Sequence, residues 1–228
     1  MKQLLMLLLF FWSSNTFLSA QSAYRAGLLP AINVNQKLPD QWRLNYKAET
    51  RFIMAEGAFA EPAALALDHS LIDLSTIVSK QFGSNKSMAG GYLIRLREKE
   101  VNHRFIQQLA IVQRYETFRL AHRFSTDQTF GSEGPPEFRL RYRISTDFAL
   151  NGQSVNQNEF YVKVNHEYLG ALEATEVDLE IRLVPLLGYY LNDNRKIEWG
   201  LDYRINSFLN GPSRSSFWLV MNAFLVIK

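Results

Sequence analysis

The sequence predicts an all-β protein: a single antiparallel up-and-down transmembrane β-barrel of about ten strands, preceded by a cleaved signal peptide. Three observations predict this fold class. Polar and apolar residues alternate with a period of two through most of the chain, a short apolar run follows the first residues, and the 228 residues include no cysteine. An exported β protein without disulfides depends on burial and ladder hydrogen bonds, and a closed barrel leaves no strand edge unpaired.

The alternation is clearest in residues 41–54 and 137–148. In the first segment the apolar positions are Trp42, Leu44, Tyr46, Ala48, Phe52 and Met54, and the polar ones are Arg43, Asn45, Lys47, Glu49 and Arg51. Strand side chains alternate between faces, so each segment has one apolar and one charged face. In a soluble sandwich the apolar faces pack together, whereas in a membrane barrel they contact lipid and the charged faces line the interior.

An export signal favours the membrane barrel. Lys2 precedes an apolar run over residues 4–12, and the small residue Ala20 offers a cleavage site for signal peptidase. The run is shorter than the roughly 20 apolar residues that a membrane-spanning helix needs. The chain is therefore predicted to divide into a signal peptide at 1–20, a periplasmic lead-in at 21–40 and an outer-membrane β-barrel domain at 41–228.

Strands are predicted wherever the alternation holds between turn signals. They cover, in order, 41–54, 72–82, 87–97, 103–116, 118–126, 136–149, 158–168, 177–191, 195–207 and 215–227. Residues 131–136 contain two prolines, which cannot donate to a ladder, and are predicted to be a loop. The lead-in shows no sustained alternation. A twelve-stranded barrel is the alternative if 24–34 or 58–67 pairs as a strand; the second segment is also a candidate short helix.

Loop lengths suggest a direction for the barrel. If the first strand runs outward, the outer connections are 55–71, 98–102, 127–135, 169–176 and 208–214. The inner ones are 83–86, a turn at Thr117, 150–157 and 192–194. The outer connections are on average longer, and an even strand count returns the C-terminus to the periplasm. Both features are typical of bacterial outer-membrane barrels.

The side chains at the charged positions of the alternation are predicted to form an ion-paired network that fills the lumen, because a barrel of this size is narrow enough for side chains to fill. The alternative is a narrow anion-selective channel or small-solute transport barrel, with an anionic ligand at an outer vestibule where arginines gather. The predicted lumen residues are Arg43, Glu49, Arg51, Arg95, Arg97, Arg114, Arg123, Arg139, Arg141, Arg143, Glu159, Glu167, Glu180, Arg182, Glu198, Asp202 and Arg204.

No catalytic, cofactor-binding or metal-binding residues are predicted. The chain has no Gly-x-Ser-x-Gly, HExxH or metal-spaced cluster. His69 beside Asp68, and His103, are the residues on which an alternative role as an outer-membrane hydrolase with a rim active site would rest. The net charge of +3 gives no reason to expect nucleic acid. The expected partners are outer-membrane lipid and the barrel-assembly machinery, and the expected role is non-enzymatic, structural or binding through the outer loops.

Several short motifs resemble a known family. They are Leu38-Pro39-Asp40-Gln41-Trp42 followed by Glu49-Thr50-Arg51-Phe52, then Gly91-Tyr92, Arg119-x-x-x-Arg123-Phe124, Arg139-Leu140-Arg141-Tyr142-Arg143 and Asn158-Glu159-Phe160. With these motifs the chain resembles the uncharacterised outer-membrane β-barrel family known as domain of unknown function 2490, common in Bacteroidetes. That resemblance implies an outer-membrane barrel and brings no assigned activity or catalytic residue.

Overall fold

A computed structural model describes residues 23–60, 63–131, 134–210 and 212–227. The predicted signal peptide lies outside the described residues. Eleven strands make up the described chain: β1 (Ala23–Lys37), β2 (Trp42–Ala58), β3 (Asp68–Phe82), β4 (Lys86–Leu96), β5 (Val101–Arg114), β6 (Phe118–Phe130), β7 (Glu137–Ala149), β8 (Glu159–Glu173), β9 (Glu176–Asn192), β10 (Arg195–Asn206) and β11 (Arg214–Ile227). Each of the ten predicted strands corresponds to one of β2–β11.

The strands form one closed barrel in which each strand pairs with its neighbours in sequence, and β1 pairs with β11. All consecutive pairs are antiparallel, whereas β1 and β11 run parallel. A closed barrel with an odd number of alternating strands must contain one such parallel pair. The barrel therefore has one strand more than the predicted count of about ten, and the count is odd rather than even. Ala23 and Ile227 lie at opposite ends of the barrel as a consequence.

The missing strand is β1, which lies inside the predicted lead-in. Its sequence lacks a clean alternation because Leu28 and Leu29 are both apolar, as are Ala31 and Ile32. Pro30 lies in its middle; Leu29 and Pro30 have no ladder partners on β2, as expected where the proline has no N–H to donate. On the other side the parallel ladder with β11 continues past Pro30. The alternative count of twelve is not met either: its first segment, 24–34, pairs as a strand, but its second, 58–67, adds no strand of its own.

The connections between strands form two rims. Rim A consists of the described residues within 59–67, 97–100, 131–136, 174–175 and 207–213, and rim B of 38–41, 83–85, 115–117, 150–158 and 193–194. Rim A collects the connections predicted to be outer, and rim B those predicted to be inner. Of the segment 58–67, Ala58 ends β2, and the other described residues form turn and coil but no helix. None of the described residues forms a helix that could cross a membrane.

Candidate functional site

The barrel encloses a cavity of about 480 Å³. Side chains that pair across neighbouring strands point to the same face, so one alternating set from every strand faces this space. The register aligns Arg95 with Asp73, Glu49 with Asp73, and Arg143 with Glu167. The charged positions of the alternation therefore face the interior, and the apolar positions form the outer surface.

The charges that line the cavity are unevenly distributed. Eleven lysine and arginine side chains and five carboxylates line it. Strands β4–β7 contribute six of the arginines and none of the carboxylates, and we call this set the arginine wall: Arg95, Arg104, Arg123, Arg139, Arg141 and Arg143. On strands β8–β10, the balanced wall, three cations face three carboxylates: Lys163, Arg182 and Arg204 with Glu180, Glu198 and Asp202.

Glu198 is the centre of the most fully bonded cluster on the balanced wall. Its side chain is buried, with 1% of the residue exposed. Tyr161 donates a hydrogen bond of 2.6 Å to Glu198 Oε1, and the ammonium groups of Lys163 and Lys196 each lie 3.1 Å from a carboxylate oxygen. The Tyr161 ring lies over Gly188, where a Cβ atom would be 2.1 Å from the ring. The glycine therefore makes room for the tyrosine that reaches Glu198.

The remaining carboxylates of this wall are also paired. Glu167 is buried and accepts a 2.6 Å hydrogen bond from Arg143, while Arg182 Nη1 lies 3.2 Å from its other oxygen. Arg182 also bonds Glu180 on its own strand. Arg204 donates two hydrogen bonds of 3.0 and 2.7 Å to Asp202, the bidentate arrangement that suits arginine and carboxylate. Among these ion-paired side chains on β8–β10, four cations therefore balance four carboxylates: Lys163, Arg182, Lys196 and Arg204 with Glu167, Glu180, Glu198 and Asp202.

Two aspartates neutralise part of the arginine wall. Arg95 forms a bidentate pair with Asp73, at 2.8 and 2.6 Å. Asp127, of which 1% is exposed, lies 2.7 Å from Arg141 Nη2 and 3.9 Å from Arg139 Nε. A single buried carboxylate therefore serves two arginines on β7.

Three arginines that line the cavity form no ion pair with a carboxylate among the described residues: Arg51, Arg104 and Arg123. Arg104 is buried, and its Nε donates a 2.9 Å hydrogen bond to the neutral Thr129 hydroxyl. Arg139, Arg95 and Arg141 repel its guanidinium, and Asp127 attracts it. Arg143 and Arg141 likewise repel the Arg123 guanidinium.

Apolar side chains occupy the interior beside the parallel β1–β11 pair. They form a small cluster of Leu29, Leu186, Trp218 and Val220. The Arg51 guanidinium lies 4.9 Å from the centroid of the Trp218 ring, which gives this arginine a cation–π contact in place of a carboxylate. The lumen is therefore not charged throughout.

Most of the predicted lumen residues lie together. Twelve of them line the cavity: Glu49, Arg51, Arg95, Arg123, Arg139, Arg141, Arg143, Glu180, Arg182, Glu198, Asp202 and Arg204. Glu167 lies in the wall behind it. Four others lie at the rims, where Arg43 approaches Gln81, Arg97 pairs loosely with Glu100 at 3.8 Å, Arg114 is exposed and Glu159 accepts hydrogen bonds from loop asparagines.

Sequence reasoning missed the two aspartates that neutralise part of the arginine wall, Asp73 and Asp127. Asp73 lies on the polar beat of a predicted strand, so the alternation alone could have found it. Asp127 was expected in the outer connection 127–135, but β6 continues to Phe130 and turns this side chain inward.

Apolar side chains cover the outer surface between two bands of aromatic contacts. Near rim A, Tyr92 contacts Phe105, Phe105 contacts Phe130, and Tyr203 stacks on Phe217. Near rim B, corresponding contacts join Tyr115, Phe118, Phe148, Phe160 and Trp199. Between the bands many large apolar side chains are exposed, among them Leu140 at 65% and Met221 at 55%. Soluble proteins rarely expose an apolar surface of this extent.

The histidines belong to this outer surface or to rim A. His103 and His122 each share a hydrogen bond with a tyrosine hydroxyl, Tyr92 and Tyr142, and His166 contacts the Tyr168 ring. His69 packs on Phe52 near rim A. No cluster of three or more potential metal ligands occurs in the described ranges.

Fold and site together define a class: a closed β-barrel with an apolar exterior and a predominantly charged interior. The sequence profile of the family of proteins of unknown function DUF2490 matches residues 26–215. The chain belongs to that family, as its motifs predict. No curated protein and no solved structure matches this chain.

Proposed function

We propose that this chain is an outer-membrane β-barrel protein, exported by a cleaved signal peptide, with a non-enzymatic structural or binding role in the cell envelope. The observation that carries the proposal is the apolar outer surface between two aromatic bands. Aromatic rings are enriched where a membrane meets water, since their apolar bodies and polar edges suit the headgroup region. The proposed partners are outer-membrane lipid and the barrel-assembly machinery.

The height of the outer belt fits a bilayer. Phe138 and Phe148 lie on the outer face near opposite ends of β7, and 50% and 41% of these residues are exposed. At a rise of about 3.3 Å per residue and a strand tilt of about 40°, their rings are separated by about 25 Å along the barrel axis. The apolar band of outer-membrane barrels is about 25 Å tall.

The interior supports a barrel that does not conduct freely. Open aqueous channels belong to barrels of about 16 strands or more, whereas eleven strands enclose about 480 Å³ here. Ion-paired side chains line this cavity together with Leu29, Leu186 and Val220 of the apolar cluster. The proposed role therefore falls to the connections, with rim A facing the cell exterior because it collects the connections expected to be outer.

The membrane proposal is tested by expressing the full chain and comparing gel migration of heated and unheated samples. A folded outer-membrane barrel should migrate differently before and after heating, and should need detergent to leave the membrane fraction. A mature protein that stays in solution in plain buffer would overturn the proposal.

The odd strand count gives a second test. Because β1 and β11 are parallel, a short tag placed directly before Ala23 and one placed directly after Ile227 should lie on opposite sides of the membrane. Intact cells should expose one tag to antibody and hide the other, and permeabilised cells should expose both. Exposure of both tags, or of neither, on intact cells would contradict the eleven-stranded barrel.

A narrow anion-selective channel is the second candidate, favoured by the cation excess along the cavity. Planar-bilayer recordings separate the two functions. The closed-lumen proposal expects no steady openings, whereas steady anion-selective openings that change in Arg141→Ala would establish the channel. The non-enzymatic role is tested with peptide and phospholipid substrates; hydrolysis lost in His69→Ala or His103→Ala would overturn it.

A further inference from the structure

The arginine wall has more positive charge than the described chain neutralises. Six arginines on β4–β7 line the cavity with no carboxylate from those strands among the lining residues. Four carboxylates pair with this wall: Asp73 with Arg95, Asp127 with Arg141 and Arg139, Glu137 with Arg139, and Glu167 with Arg143. Arg104 and Arg123 have no carboxylate within ion-pair distance in the described ranges. Such clustering costs free energy, because like charges repel more strongly away from water.

The excess of positive charge is confined to the arginine wall, as a comparison with the balanced wall shows. Both walls use the same alternation and border the same cavity. On β8–β10 each cavity-lining carboxylate, Glu180, Glu198 and Asp202, bonds a basic side chain. Repulsion on the other side is concentrated where Arg139, Arg95 and Arg141 surround Arg104. A barrel that needed only structural neutrality would place carboxylates opposite these groups.

We propose that the cavity binds a compact polyanion, carrying several phosphate or carboxylate charges, against the arginine wall. Arginine presents planar N–H forks that match both groups bidentately. A cavity of about 480 Å³ lies within the range of small-molecule sites. Arg104 and Arg123 are the groups whose free charge the ligand would neutralise, and Arg51 on β2 lines the same cavity. Since the ladders close around the barrel, the ligand enters through a rim rather than between strands.

The test uses the full-length protein folded in a zwitterionic detergent, titrated by calorimetry with inorganic tripolyphosphate and, separately, with citrate. Wild-type protein should bind at least one of them, and added sodium chloride should weaken the binding. Arg104→Gln and Arg123→Gln should each weaken it at least tenfold, about 1.4 kcal/mol. The matched control is Arg43→Gln, an inward arginine at rim B that has no carboxylate partner among the described residues, which should change affinity less than twofold.

A second measurement needs no variant. The same anions should raise the unfolding temperature of the wild-type barrel above that in sodium chloride of equal ionic strength, because a ligand that binds the folded state stabilises it. The proposal is overturned if neither anion binds or shifts the unfolding temperature. It is also overturned if Arg43→Gln weakens binding as much as the wall variants. These measurements are made in detergent, so failure here leaves the membrane proposal standing.

Discussion

The balanced wall and the arginine wall are built from the same two-residue alternation, yet they treat charge differently. On β8–β10, Glu198 collects Tyr161, Lys163 and Lys196 around one buried carboxylate. On β4–β7, Arg139 and Arg141 share Asp127, Arg139 also lies 3.3 Å from Glu137, and among the described residues Arg104 bonds only the Thr129 hydroxyl. The comparison teaches that alternation selects the face of a side chain, whereas pairing decides whether that side chain contributes stability or leaves charge for a ligand.

The largest effect is expected from breaking the balanced wall at its centre. Glu198→Gln should lower the free energy of unfolding by about 3–5 kcal/mol, because it leaves two lysines and a tyrosine hydroxyl around a neutral amide. Denaturant titration of the barrel refolded into lipid vesicles measures this. Glu100→Gln, which breaks an exposed pair with Arg97, is the control and should cost less than about 1 kcal/mol. Equal costs would mean that the interior cluster is no more valuable than a surface pair.

The outer surface should be sensitive to charge in proportion to depth. Tyr142→Arg places a cation at the middle of β7 on the outward face and should cost about 2–4 kcal/mol in vesicles. Tyr115→Arg makes the same change in the rim B connection 115–117 and should cost about 1 kcal/mol or less. In detergent micelles, which deform around a charge, the difference should shrink. A larger cost at Tyr115 would contradict the assigned lipid belt.

The smallest effect should come from the arginine wall itself. Arg104→Gln removes a cation that its neighbours repel and keeps a donor for Thr129, so unfolding should change by less than about 1 kcal/mol. Arg95→Gln leaves Asp73 without its bidentate partner and should cost about 2 kcal/mol or more. The two variants remove the same charge from the same wall. If Arg104→Gln proves the more damaging, the wall is not in electrostatic excess.

Sequence reasoning recovered β2–β11 because each keeps one apolar and one charged face. The alternation does not predict β1, because its inward residues, such as Leu29 and Ala31, are apolar like its outward ones. Pro30 also argues against a strand. The gap in the β1–β2 ladder at Leu29 and Pro30 accommodates a proline that would be costly in a fully bonded ladder. An alternation signal cannot identify a strand whose two faces both contact apolar surroundings.

The sequence predicts which side chains face the lumen, but not how far along the barrel axis each of them lies. Alternation places Arg95 and Arg97 on the same beat, yet the β4–β5 ladder ends at Leu96, so Arg97 lies in the rim A connection. Arg43, Arg114 and Glu159 likewise occupy strand ends. Which carboxylate meets which arginine depends on the register between strands, as with Asp127 and Arg141. Register is set by turns and ladder irregularities that one sequence does not reveal.

The account rests on one division, lipid outside and charge inside, and a pair of cysteine labels on β7 tests it most directly. The chain contains no native cysteine. Leu140→Cys points outward, and Ser145→Cys is a conservative change on the inward beat. In vesicles, a fluorophore at 140 should be quenched by brominated lipid and resist a water-soluble quencher, whereas one at 145 should resist the lipid quencher. Quenching at 145 by lipid, with water exposure at 140, would contradict the membrane barrel.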